Sequence, residues 1–100
     1  MFLMKILANE KEFAGKTAED FQPYLEAEAK RVWELYKKGV IREIYFRADQ
    51  TSAVLILECE NLKEAKEKLS TLPLVQENLI YFDFIPLAPY PGFERLFKGK

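Results

Sequence analysis

The chain opens on a short apolar run, Phe2-Leu3-Met4-Lys5-Ile6-Leu7-Ala8, interrupted only by a lysine. A run this short falls below helix length and fits a strand covered on both faces. Asn9 to Gln22 is polar, with Gly15 and the segment Thr17-Ala18-Glu19-Asp20, which has the residues of a capped helical turn. Pro23 marks a boundary, because proline suits the first helical position and disrupts deeper ones. The main helix is predicted to begin near Pro23, after an irregular or single-turn approach. Leu25, Ala29, Val32 and Tyr36 then recur at helical spacing beside Trp33 and Leu35. Glu26, Glu28, Lys30, Arg31 and Glu34 form the wet side, and Trp33 and Tyr36 are expected in the core. Lys37 and Lys38 complement the negative helix end, and Gly39 supplies a left-handed cap.

Val40 to Arg47 alternates, with Ile41, Glu43, Tyr45 and Arg47 on one face and Arg42, Ile44 and Phe46 on the other. The polar turn Asp49 to Ser52 leads into the apolar strand Ala53 to Leu57, and the short link predicts an antiparallel hairpin. Asn61 and Glu64 form a capping pair for a second helix, whose stripe of Leu62, Ala65 and Leu69 runs to Leu72 and the breaker Pro73. Leu79 to Ile85 reads as the last strand, closed by Pro86. The stretch from Pro86 to Phe93 contains three prolines, which exclude it from a regular ladder, yet it keeps Leu87, Tyr90 and Phe93.

Strand-helix-strand-strand-helix-strand order predicts one α+β domain over residues 1–100, a ferredoxin-like βαββαβ fold with an antiparallel four-stranded sheet. Right-handed crossovers put both helices on one face. The strands are apolar in both directions, so the opposite face needs a cover. A second copy supplies one, as a homodimer or higher homo-oligomer forming a dimeric α+β barrel. The tail, 86–100, is expected to pack on the partner subunit.

Composition narrows the setting. A chain of 100 residues with 49% apolar and 31% charged content is an ordinary globular domain. A net charge of −1 gives no footprint for nucleic acid or an anionic membrane, and neither partner is expected. No run is long enough to span a bilayer, the N-terminus lacks a signal-peptide pattern, and Cys59 is the lone cysteine, so a cytoplasmic location is expected. With no histidine and one cysteine, only carboxylates remain for ligation, which suits hard cations and disfavours structural zinc and a histidine-bound haem, and no cofactor or metal site is expected.

The element order, the Gly39 turn into the second strand, Leu72-Pro73-Leu74, and the strand-to-tail pattern from Phe82 to Pro91 resemble the muconolactone isomerase family. The resemblance implies sheet-to-sheet dimers, sometimes larger rings, and a cofactor-free proton shift in an unsaturated lactone. Such a shift needs a base, a returning donor, and a group to hold the developing enolate.

On the second strand, Glu43 is the candidate base or shuttle, Arg47 the candidate anion holder and Tyr45 a hydrogen-bond donor. Asp83 can join from the last strand and Tyr24 can reach the pocket mouth. Arg42 becomes the interior cation if the strand faces are exchanged. The competing structural account pairs Glu43 with Arg47, puts Tyr45 in the core, makes Asp49 a turn cap and leaves Cys59 a buried inert thiol. Two functions therefore stand side by side. One is a cofactor-independent isomerase for a small unsaturated lactone or carboxylate, and the other is a non-catalytic small-molecule-binding or assembly module.

Overall fold

The computed structural model describes residues 3–97. Strand β1 (Met4–Glu12) leads to the single turn α1 (Ala18–Phe21), a 3-10 turn (Gln22–Tyr24) and helix α2 (Leu25–Lys37). The hairpin β2 (Ile41–Phe46) and β3 (Ala53–Cys59) follows, then α3 (Leu62–Leu69), the short α4 (Pro73–Gln76), β4 (Ile80–Leu87) and a 3-10 helix (Gly92–Leu96). The strands form one sheet in the order β2-β3-β1-β4, and every neighbouring pair is antiparallel. This is the expected ferredoxin-like α+β fold. Among the described residues, no helix is long and apolar enough to cross a membrane.

Local signals account for the helix ends. Thr17 N donates to Asp20 Oδ2 at 2.8 Å, which holds the start of α1. Asn61 Oδ1 accepts from Glu64 N at 2.8 Å, and Glu64 Oε1 accepts from Glu60 N at 2.9 Å, satisfying amides at the start of α3. Helix α2 closes at Gly39, whose φ of 83° is a left-handed conformation that costs glycine no Cβ clash.

The core lies between helices and sheet. Alternate strand residues Ile6, Ala8, Leu55, Leu57 and Cys59 are buried against Leu35, Ala65, Leu69 and Leu72. Full burial of a side chain such as Leu57 stabilises the fold by ~1.5–3 kcal/mol. The intervening residues face the opposite side of the sheet, where Leu7, Val54 and Ile56 are half-buried and Tyr81, Ile85 and Leu87 are exposed.

Several local expectations are revised. Ile41 pairs with Leu57 but Glu43 pairs with Ile56, so a bulge at Arg42 breaks the alternation. Ile41 is therefore on the helix side, while Glu43 and Tyr45 share the outer side with Ile56 and Val54. Pro73 starts a helical turn, because its missing N–H is no loss at a first helical position. Pro86, placed outside the ladder by the sequence, sits within β4 opposite Ile6, which an edge strand tolerates. Trp33 and Tyr36 are 56% and 47% exposed and leave Leu35 as the fully buried residue of α2.

Candidate functional site

The exposed stripe of α2 has a structural reason. Leu25, Ala29, Trp33 and Tyr36 look across an open cleft of about 820 Å³ at Ile44, Phe46 and Ala53 on the helix side of the sheet. Helix α2 contacts both α4 and β2, and its Leu35 packs into the core with residues of β1 and β3. Trp33 and Tyr36 stack at 5.7 Å, which gives the helix wall a flat aromatic surface.

Two carboxylates enter this apolar space from opposite walls. Glu10 follows Ile6 and Ala8 at period two on β1, so the pleat turns it toward the helices. Its Oε1 accepts from Ala53 N at 3.2 Å. Glu28 comes from α2, and its Oε1 accepts from Leu74 N at 3.0 Å. Arg31 Nε, one turn along, donates to Thr71 Oγ1 at 2.8 Å and fixes α2 against the segment that carries Leu74. Each carboxylate is thus anchored by one oxygen, and no other hydrogen bond engages either among the described residues.

Both carboxyls stand above the ordinary Glu range. Burial pushes up the Glu10 pKa against the pull of the Ala53 amide, and the charges of Glu12 and Glu28 add to the rise. Burial also raises Glu28, again outweighing its amide hydrogen bond. Half-buried carboxyls held near apolar walls suit proton transfer, since the charged form is not over-stabilised.

The residues singled out from the sequence are divided by the fold. Glu43 and Tyr45 border the cleft at its β2 rim with their side chains on the outer side of the sheet, where Tyr45 donates to Glu43 Oε1 at 2.8 Å. That bond, with the Glu43 charge, raises the phenol pKa. Arg42 also borders the cleft, and its Nε lies 3.9 Å from Glu58 Oε1, on a carboxylate shared with Lys5. Arg47 lies beyond β2 and donates from Nε and Nη2 to the two Asp49 oxygens at 2.8 and 2.6 Å. This pairing raises the Arg47 pKa and lowers that of Asp49. Asp49 binds a side chain in the turn, where a backbone cap was the structural expectation.

Tyr24 donates to Glu77 Oε1 at 3.3 Å, and the Glu77 charge raises its pKa. Asp83 borders a smaller groove between α3 and β4. Buried Cys59 has its thiol pushed up to about 11, chiefly by desolvation, which leaves it protonated and unreactive at neutral pH. Among the described residues, no three His, Cys, Asp or Glu side chains group as a metal site requires.

Sequence reasoning missed Glu10 and Glu28. The charge pattern of α2 puts Glu28 on the wet side, although it sits three residues after Leu25 and four before Val32, on the apolar flank. Glu10 continued a buried strand alternation beyond the apolar run.

No curated protein matches the chain. The model of the muconolactone delta-isomerase family matches residues 2–92, nearly the whole sequence. With this match and its βαββαβ fold, the chain belongs to the muconolactone delta-isomerase family.

Proposed function

We propose that the protein is a cofactor-independent isomerase that moves a proton, and with it a double bond, within a small unsaturated lactone bound in the cleft between α2 and β2. The observation that carries this reading is the pair of half-buried carboxylates, Glu10 and Glu28, each tied to a backbone amide and each raised in pKa by burial. In this reading Glu28, in its ionised form, removes a proton from a ring carbon activated by the lactone carbonyl. The electrons of that C–H bond delocalise onto the carbonyl oxygen as a dienolate, and a proton returns two carbons away. Glu10 is the second proton carrier. The repulsion between neighbouring carboxylates favours one proton shared by the pair, so that one acts as base while the other is an acid.

Tyr36, on the helix wall, is the candidate donor to the enolate oxygen. The carboxylate–phenol pair Glu43 and Tyr45, bonded to each other on the outer side of β2, has no part in this reading. The open cleft supports catalysis over a purely structural assembly module.

The exposed apolar outer face of the sheet supports assembly with a second copy through that face. Asn9 Oδ1 on that face is buried with no hydrogen bond among the described residues, and a donor from a second chain would satisfy it.

The test is NMR observation of double-bond migration in an unsaturated lactone such as muconolactone or its methyl ester. The wild-type protein is expected to catalyse it, and Glu28→Gln to lose ~10²–10⁴-fold in rate while keeping its fold. A folded Glu28→Gln variant with unchanged turnover would remove Glu28 from this role.

A further inference from the structure

We propose that Arg31 and Thr71 form a positioning clamp that keeps Glu28 aligned at the cleft wall throughout the proton transfer, including the step at which Glu28 holds the proton. The inference rests on Glu28 being the base in the cleft, and it comes from two hydrogen bonds that join the same two segments. Glu28 Oε1 accepts from Leu74 N at 3.0 Å, and Arg31 Nε donates to Thr71 Oγ1 at 2.8 Å. Residues three apart on a helix share a face, so both bonds leave the same side of α2. They end on Thr71 and Leu74, which are also three apart. One attachment sets a distance, and two set the angle of the helix as well.

The second attachment is braced at both ends. Arg31 Nη1 donates to Glu34 Oε1 at 3.2 Å, which steadies the guanidinium from the next turn of α2. Thr71 Oγ1 donates in turn to the Lys68 carbonyl at 2.6 Å, in the last turn of α3. Neither Arg31 nor Thr71 lines the cleft, so the clamp acts on Glu28 from behind. Leu72, between the two attachments, is buried, but apolar packing is not directional and does not fix where a carboxylate points.

The two bonds respond differently to the reaction. An ionised carboxylate is the stronger acceptor, so the bond to Leu74 weakens when Glu28 takes up a proton. A guanidinium stays charged and a hydroxyl stays neutral over the range in which a carboxyl titrates, so the Arg31–Thr71 bond is the same before and after that step. The clamp therefore holds α2 when the anchor of Glu28 itself is weakest.

Thr71→Val removes the hydroxyl at nearly constant shape, and Thr71→Ser keeps it. Isomerisation kinetics and NMR amide exchange at Leu74 are measured on the full-length protein in its native assembly. Thr71→Val is expected to lower kcat by ~10–10²-fold with KM little changed. Its Leu74 amide should exchange faster by on the order of 10-fold, while amides of β1 and β3 keep their protection. Thr71→Ser should restore both. Arg31→Met is expected to match Thr71→Val, with the double variant no worse than either alone, and it carries the test if Thr71→Val does not fold.

Wild-type kcat in a folded Thr71→Val variant overturns the clamp, and so does a fall in kcat without faster exchange at Leu74. Wild-type protein that moves no double bond removes the isomerase reading instead. Exchange at Leu74 does not depend on turnover, so an unchanged rate in Thr71→Val would still overturn the clamp by itself.

Discussion

Glu28 Oε1 accepts the Leu74 backbone amide at 3.0 Å, so a single hydrogen bond joins α2 to the start of α4 and orients a carboxylate at the cleft wall. Leu74 is 6% exposed, and its N–H has poor access to water if that acceptor is removed. Glutamine at position 28 keeps the acceptor and alanine deletes it, while both remove the charge. Glu28→Ala is therefore expected to be less stable than Glu28→Gln by ~1–3 kcal/mol in denaturant unfolding. Equal stability of the two variants would mean that the bond contributes nothing.

The pH dependence of stability follows from the same carboxyls. Glu10 and Glu28 have folded pKa values above their unfolded ones, so the folded state binds more protons between the two. Their contribution to stability is fully present below the unfolded Glu pKa and is lost as pH rises through the folded values. A Glu10→Gln/Glu28→Gln variant is expected to melt a few degrees higher than wild type at about pH 8, with the gap closing below about pH 4. Melting curves across that range check the sign, and a gap that widens toward acid would refute it.

Catalysis should run the other way with pH. Glu28 acts as base only when ionised, so kcat/KM is expected to rise with pH through an apparent pKa above that of an ordinary glutamate. A fall on the alkaline side would report loss of the proton from its partner carboxyl, Glu10. In a Glu10→Gln variant that alkaline fall should disappear. A pH–rate profile of wild type and variant decides it, and a flat wild-type profile from pH 4 to 8 would exclude both carboxyls from proton transfer.

Assembly through the outer sheet face makes a separate prediction. Ile85 on β4 is 51% exposed on that face, so a charged replacement is tolerated in an isolated chain. In a face-to-face pair the same change buries an ammonium group against apolar neighbours. Ile85→Lys is expected to lower the mass seen by analytical ultracentrifugation to that of one chain, with its far-UV circular dichroism retained. Identical sedimentation of wild type and variant would exclude that face.

Short-range physics explains what was legible in the sequence. The β1 run, the β2–β3 hairpin around a polar turn, the Asn61–Glu64 cap and the Gly39 stop depend on periodicity and on backbone groups a few residues apart. Those elements imposed the βαββαβ order, and Leu72-Pro73-Leu74 with the Phe82–Pro91 pattern carried the family resemblance. A glycine at positive φ or a side chain capping a helix needs no knowledge of the rest of the chain.

Only the tertiary structure decided which apolar residues would be core and which carboxylates would be buried. Trp33 and Tyr36 have the spacing of a packed stripe, but the placement of α2 leaves that stripe facing an open cleft. The Arg42 bulge re-aims Glu43 and Tyr45 through a register shift in the β2–β3 ladder, which a simple alternation does not contain. Glu10 and Glu28 lie eighteen positions apart, and each has its amide partner far along the chain, Ala53 43 residues from Glu10 and Leu74 46 residues from Glu28. Desolvation and long-range hydrogen bonds determine their chemistry, and both exist only after the sheet and α2 have come together.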